Sequence, residues 1–398
     1  MSWEVKKLSD CCVSIADGDH QAPPKADFGI PFVTISDINV YNQFDFTDTM
    51  FVPQEYYDRL DNKRKAQKGD VLYSVVGSFG IPVYMKETVP FVFQRHIAIL
   101  RPNDTILPQF LYYTMLSRDF YMMADAAALG AAQRTVSLTA LRNIRISVPP
   151  MDAQKKIVDT LSAYDTLIEN NQKQIKLLEE AAQRLYKEWF VDLRFPGYEN
   201  TKIANGIPEG WHKTTLAEIA VIIKRGISPK YAADGKYTVI NQKCIRGSIM
   251  DITESRKQEK QYEPILNIQD CDTVICSTGT GTLGRVGQIY GDYPNTTFDS
   301  HVTLVRAKEN PNFMYQAIKN QQRFLMGMGH GSTNQQELYR NVIENVEVLL
   351  PDGSFLLQTE KLLSTFHDKI KTVYLQTSIL TETRDRLLPK LMSGEIEV

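Results

Sequence analysis

Cysteine is scarce and scattered. The five residues Cys11, Cys12, Cys244, Cys271 and Cys276 leave one over from any pairing and contain no CxxC. That counts against a disulfide framework or a zinc knuckle and reads as reduced, mostly structural thiols. No run approaches the ~18 apolar residues of a membrane span, and the start MSWEVKKLSD lacks the apolar core of a signal peptide. A cytoplasmic protein with no membrane partner is the expectation. An excess of one charge is missing too: 45 Lys and Arg stand against 47 Asp and Glu, a net of -2. There is no global basic field, so any nucleic-acid binding must be local or shared with a partner.

What is present is an ordinary globular composition, 43% hydrophobic, 23% charged and 10% aromatic over 398 residues, enough for two or three domains. It also repeats. Trp3-Glu4 followed by Leu8 returns as Trp211-His212 followed by Leu216, an offset of 208. Arg95 to Arg101 matches Ser300 to Arg306 at 205, Pro108 to Tyr112 matches Pro311 to Tyr315 at 203, and Asn143-Ile144 matches Asn345-Val346 at 202. Order is kept while the offset drifts, as loop insertions in a duplicated unit would make it.

Within each half the first ~150 residues are short β-rich runs broken by Gly, Pro and Asp turns, with one helix-like stretch from Pro108 to Ala128. They predict a compact α+β domain. The remaining stretch of each half turns helical. One seam runs Ile157, Leu161, Tyr164, Ile168, Asn171, Ile175, Leu178, Ala182, Leu185, Trp189; the other runs Leu363, Phe366, Ile370, Val373, Thr377, Leu380, Arg384, Leu387, Leu391. Sustained 4-3 spacing predicts a coiled coil. Paired antiparallel so that numbers sum to 548, Asn171 meets Thr377, Ala182 faces Phe366 and Tyr164 faces Arg384. The expected organisation is residues 1–150 and 196–350 as two similar domains, with 151–195 and 351–398 as long helices. A helix from Ile157 to Trp189 rises about 48 Å at ~1.5 Å per residue, the length of roughly 14 base pairs of duplex.

Catalytic signals are weak. Gly279-Thr280-Gly281-Thr282-Leu283-Gly284 spells G-x-G-x-x-G, but Arg285 to Pro294 reads as strand and turn, not as the helix that a cofactor phosphate needs. Asn310-Pro311-Asn312-Phe313 reads as a helix start with proline near its first turn. The six histidines show no paired ligand spacing, and no metal site is expected; His96 and His301, at equivalent places, read as half-buried structural residues. No nucleophile elbow or Walker loop appears.

The stretch Lys187-Glu188-Trp189-Phe190-Val191-Asp192-Leu193-Arg194-Phe195-Pro196-Gly197, then Ile207-Pro208-Glu209-Gly210-Trp211, and Arg384-Asp385-Arg386-Leu387-Leu388-Pro389-Lys390-Leu391-Met392-Ser393-Gly394 resemble the specificity subunits of type I restriction-modification systems. The resemblance covers the chain. It implies an α+β protein in which two α/β target recognition domains are joined by a long antiparallel two-helix coiled coil with an internal pseudo-two-fold repeat. It further implies a subunit without catalysis of its own that binds a bipartite, asymmetric double-stranded DNA target. Two methyltransferase subunits would dock on it and, in the full complex, restriction subunits. S-adenosylmethionine, ATP and Mg would sit on those partners, with no cofactor on this chain. The rival readings are a coiled-coil scaffold without DNA reading and a stand-alone DNA methyltransferase. One departure from the family pattern is the start of the second long helix: Pro149-Pro150 leads the first, whereas Leu350-Pro351-Asp352-Gly353 has one proline and a longer approach.

Base edges are read by Arg, Lys, Asn, Gln, Ser and Thr in loops. The unequal loops ending Gln133-Arg134-Thr135 and Ser332-Thr333-Asn334-Gln335-Gln336 are candidates. So are Lys63-Arg64-Lys65, Gln94-Arg95, Lys224-Arg225, Lys230-Tyr231, Asn241-Gln242-Lys243 and Arg285. Net charge by segment is -1 for 1–150, -2 for 151–200, +2 for 201–350 and -1 for 351–398. The helices are thus no more basic than the domains and read as protein-docking spacers.

Overall fold

The structure, a computed structural model, describes residues 3–39, 41–47, 49–130, 134–245, 250, 252–279, 281–331 and 336–397. It divides into two compact units: Met1–Ile168 with Ile379–Val398, and Glu169–Ser378. Among the described residues no helix is long and apolar enough to cross a membrane.

In the first unit, four antiparallel strands lie in the order Cys12–Asp17, Ile97–Pro102, Val71–Ser74, Pro82–Tyr84. Val71–Ser74 is buried at every position, so both faces of this inner strand are covered. A second sheet has the order Met50–Val52, Ile30–Val33, Val92–Phe93, the last pair parallel. Glu4–Lys7 pairs with Arg145–Val148, in which Ile146 and Val148 alternate inward. Where a single helix was expected over Pro108 to Ala128, there are two, Pro108–Leu116 and Arg118–Ala126. Ser117 breaks them: its backbone is extended, and its hydroxyl caps the second helix by accepting from Phe120 N.

Two devices hold this frame. Arg101 donates from Nε and Nη2 to the two carboxylate oxygens of Asp70 at 2.9 and 2.8 Å, with Asp70 only 1% exposed. Asp70 also accepts from Gln67 N, so the buried charge is fully engaged. At Gly18, a Cβ would fall 2.2 Å from the Phe93 carbonyl oxygen, so only glycine lets the two backbones meet there.

In the second unit the same strand order recurs: Ala220–Arg225, Val302–Ala307, Thr273–Cys276, Val286–Gln288. Its smaller sheet again places an antiparallel and a parallel neighbour around one strand, Tyr237–Ile240. His212↔Leu350 answers Glu4↔Val148, and a register shift between Ala220 and Ile222 answers the one between Cys12 and Ser14. Arg306 grips Asp272 with two bonds of 2.7 Å, as Arg101 grips Asp70. Gly226 lies against Phe298 O, with 2.1 Å left for a Cβ, as Gly18 lies against Phe93 O. After the glycine-rich stretch comes a strand, Val286–Gln288, as its sequence predicts. Gly284 there abuts the backbone of Met326, 2.6 Å from where a Cβ would stand.

Two long helices span Met151–Tyr186 and Gly353–Ser393. In the first unit Ile157, Val158 and Leu161 share one core with Leu388 and Leu391. Arg384 Nη1 donates to Asp165 Oδ1 at 2.8 Å, beside half-buried Tyr164. In the second unit Ile175 packs with Ile370 and Val373, and Ala182 shares a cluster with Leu363 and Phe366. Asn171 is half-buried, and the Thr377 hydroxyl donates to its own helix at Val373 O. The first helix runs on into a wider π turn, Lys187–Val191, which seats Phe190 among Tyr186, Phe195, Trp211, Phe313 and Phe355. The irregular approach to the second helix is resolved by Asp352, whose Oδ1 accepts from Ser354 N and Phe355 N and caps it.

Candidate nucleic-acid interface

The smaller sheet of the second unit builds a recess. Tyr237–Ile240 ends at Asn241, whose Oδ1 accepts from Lys243 N at 2.8 Å and whose Nδ2 donates to Glu254 O at 3.1 Å. Asn241 is 9% exposed, so it shapes the turn, which Cys244 anchors in the core while Lys243 faces outward. The parallel neighbour Thr296–Phe298 delivers Asp299 and His301 to the same edge. Asp299, 3% exposed, accepts from His301 N at 2.9 Å, and His301 Nδ1 bonds Thr278 Oγ1 at 2.6 Å. Burial pushes the Asp299 carboxyl up, against the lowering effect of that N–H and of the imidazole. From the antiparallel neighbour, Arg256 lies 3.6 Å from the ring centre of Tyr231.

These groups line a cavity of about 370 Å³: Tyr231, Asn241, Gln242, Lys243, Glu254, Ser255, Arg256, Asp299 and His301. Four sequence candidates, Tyr231, Asn241, Gln242 and Lys243, are therefore brought together. Gln242 reaches the glycine-rich loop, where Thr282 Oγ1 donates to its Oε1 at 3.3 Å. The lining offers amide, cationic and carboxylate groups and a stacked cation–aromatic pair, a set suited to planar polar ligands.

The other candidates in this unit are engaged nearby or apart. Lys224 pairs with Glu263 at 2.7 Å, Lys230 pairs with Glu259, and Arg225 reaches Glu337 at 3.5 Å and Leu338 O at 3.1 Å. Arg285 is half-buried behind Gly284, and Gln336 is exposed. Ser332, Thr333, Asn334 and Gln335 lie outside the described residues, as does Gln133.

The first unit differs at the same places. Asp17 ends the strand where Arg225 ends its counterpart. Arg64 spans Asp17 at 3.7 Å and Asp19 at 4.0 Å, His20 bonds Asp17, and the Tyr56 hydroxyl donates to Asp19. Lys65 donates to Asp58 O and lies over the Tyr57 ring; Lys63 and Arg95 are exposed, and Gln94 is half-buried. Arg134 pairs with Asp125 at 3.2 Å, and Thr135 bridges Val76 and Leu129. Of the two equivalent histidines, His96 is half-buried as expected; His301 is exposed and bonded to Thr278. Sequence reading missed Arg256, Asp299 and Ser255, whose place in the recess depends on strand pairing across long sequence gaps.

Residues 1–180 match the family model described as the type I restriction modification DNA specificity domain. Over 408 aligned residues, all of this chain and 94% of the relative, the chain is 23% identical to the type I restriction enzyme MjaIX specificity subunit of Methanocaldococcus jannaschii. It is 21% identical to the HindI specificity subunit of Haemophilus influenzae, covering 84% of this chain and 88% of that one. The crystal structure of a type I restriction-modification S subunit from M. genitalium has the same fold, with a TM-score of 0.55 at 18% identity over 98% of this chain and 96% of that chain. Residues 1–180 thus carry a type I restriction modification DNA specificity domain, and along its whole length the chain is similar to type I restriction enzyme specificity subunits.

Proposed function

We propose that the chain reads a bipartite, asymmetric double-stranded DNA sequence, one half-site per target recognition domain, and has no catalysis of its own. The observation that carries this reading is one strand frame occurring twice with different polar groups at matching positions. Asn241-Gln242-Lys243 follows the strand in one unit where Thr34-Ile35-Ser36 follows it in the other, and Arg225 stands where Asp17 stands. Equal frames with unequal loops suit unequal half-sites. The recess lined by Gln242, Lys243 and Arg256 supplies donors of the kind that read base edges in the major groove.

The long helices serve in this reading as an antiparallel coiled-coil spacer and as the docking ground for two methyltransferase subunits and, in the full complex, restriction subunits. S-adenosylmethionine, ATP and Mg belong to those partners, and the complex works in the cytoplasm. Near-zero net charge supports a division of labour in which partner subunits provide much of the phosphate neutralisation. Sequencing methylated sites in the host, with this chain deleted and then restored, tests the proposal. One bipartite motif that vanishes and returns with the chain is the expected result; an unchanged methylome overturns it, and methyl transfer by the pure chain would favour the stand-alone enzyme instead.

A further inference from the structure

Away from the recess, the second unit gathers three side chains that the sequence keeps apart. Asp270 and Cys271 lie just before the strand Thr273–Cys276, and His367 lies on the second long helix. His367 Nε2 is 3.1 Å from Asp270 Oδ1 and 3.4 Å from Cys271 Sγ, and the three atoms all lie within 4.8 Å of one another. Zinc bonds of about 2.0 Å to N and O and 2.3 Å to S, set at tetrahedral angles, separate N from O by about 3.3 Å and N from S by about 3.5 Å. We propose that Asp270, Cys271 and His367 form a binding site for a divalent cation of the zinc type, with water as fourth ligand, fastening the strand end to the helix.

The other copy of the frame sharpens the case. Cys271 N donates to Ile289 O just as Gly69 N donates to Met85 O, and each precedes the aspartate gripped by its arginine. Both residues have positive φ, 93° at Gly69 and 65° at Cys271. Glycine takes that conformation freely, whereas cysteine is strained in it, and strain of this kind gathers at functional sites. The preceding position changes too, from Lys68 to Asp270, a non-ligand to a ligand.

The surroundings fit a held cation. Lys371 Nζ donates to Asp270 Oδ2 at 2.7 Å and Gly291 N donates to Oδ1 at 2.6 Å, orienting the carboxylate as outer partners of metal ligands do. His367, 3% exposed, stacks on Tyr290 with ring centres 4.7 Å apart. Burial, then the charges of Asp270 and Glu360, push the Cys271 thiol up to about 12, so binding must release its proton to solvent as the S–metal bond forms.

The test is a Co²⁺ titration of the full chain, read by absorption. One thiolate-to-cobalt charge-transfer band per chain is expected, saturating at one equivalent and displaced by Zn²⁺. Cys271→Ser should abolish the band while Cys244→Ser keeps it, and His367→Gln should weaken binding at least about tenfold. No band in the unaltered chain overturns the proposal without reliance on any variant, as does a band that survives Cys271→Ser in a chain with unaltered circular dichroism. None of these readings depends on DNA.

Discussion

Arg384 and Asp165 are joined at 2.8 Å between the two long helices of the first unit, and the Tyr113 hydroxyl donates to the other oxygen of the same carboxylate at 2.6 Å. The arginine and aspartate side chains are 18% and 17% exposed. Arg384→Ala should therefore leave a mostly buried carboxylate short of its cation and cost about 3 kcal/mol. Urea unfolding of the variant and of Asp165→Asn, with the double variant closing the cycle, measures the pair. Additive losses would show that the two side chains do not interact.

Gly18 and Gly226 test the frame itself. In each case the atom in the way is a backbone carbonyl oxygen, which cannot swing aside. Gly18→Ala and Gly226→Ala should each destabilise by about 3 kcal/mol, the upper range for overpacking. Limited proteolysis should place the new cleavage in the first unit for Gly18→Ala and in the second for Gly226→Ala. Wild-type melting in either variant would contradict the close approach.

If the recess binds DNA as proposed, Gln242 and Lys243 separate reading from gripping. Lys243→Ala should weaken DNA binding by the assembled complex evenly across sequences and reduce the salt slope by about 0.9 for one lost phosphate contact. Gln242→Ala should relax one base position, with discrimination reduced by about 1–3 kcal/mol. Competition binding against single-base variants of the methylated motif checks both. Unchanged specificity in Gln242→Ala would remove the recess from base reading.

Asp352 makes the start of the second long helix sensitive to acid. Hydrogen bonds from the Ser354 hydroxyl first, then the Phe355 amide, hold its carboxyl below the usual range. A carboxyl depressed in the folded state adds stability above its unfolded value of about 3.9, and that contribution fades as pH falls toward the folded value. Asp352→Ala should cost about 1 kcal/mol at pH 7, the worth of a helix cap. The gap between variant and wild type should narrow as pH falls below about 3.9, as thermal melts through the acid range would show.

The recurring strand order was legible because matched residues keep their order along the chain, and order survives divergence of side chains. The seams were legible for a related reason: Ile157, Leu161, Ile175, Leu363 and Ile370 repeat at helical spacing, and all are buried. Ser117 was harder, since a capping hydroxyl between two apolar helices looks like one helix with a polar residue in it. The recess was half legible. Gln242 and Lys243 announce themselves in a polar run, but Arg256 and Asp299 join them only through pairing of Tyr237–Ile240 with both neighbours. Asp270, Cys271 and His367 were invisible for the same reason, with thiol and imidazole 96 positions apart in the chain.

The first unit draws Leu388 and Leu391 into the core that holds Ile157 and Leu161. On the ribosome, this means that the first unit to be synthesised is the last to be completed. Until residues 379–398 emerge, Ile157 and Leu161 lack Leu388 and Leu391 and offer the face those leucines cover to chaperones or to a neighbouring nascent chain. A chain cut short before Ile379 and released would hold all of the second unit and an open first one.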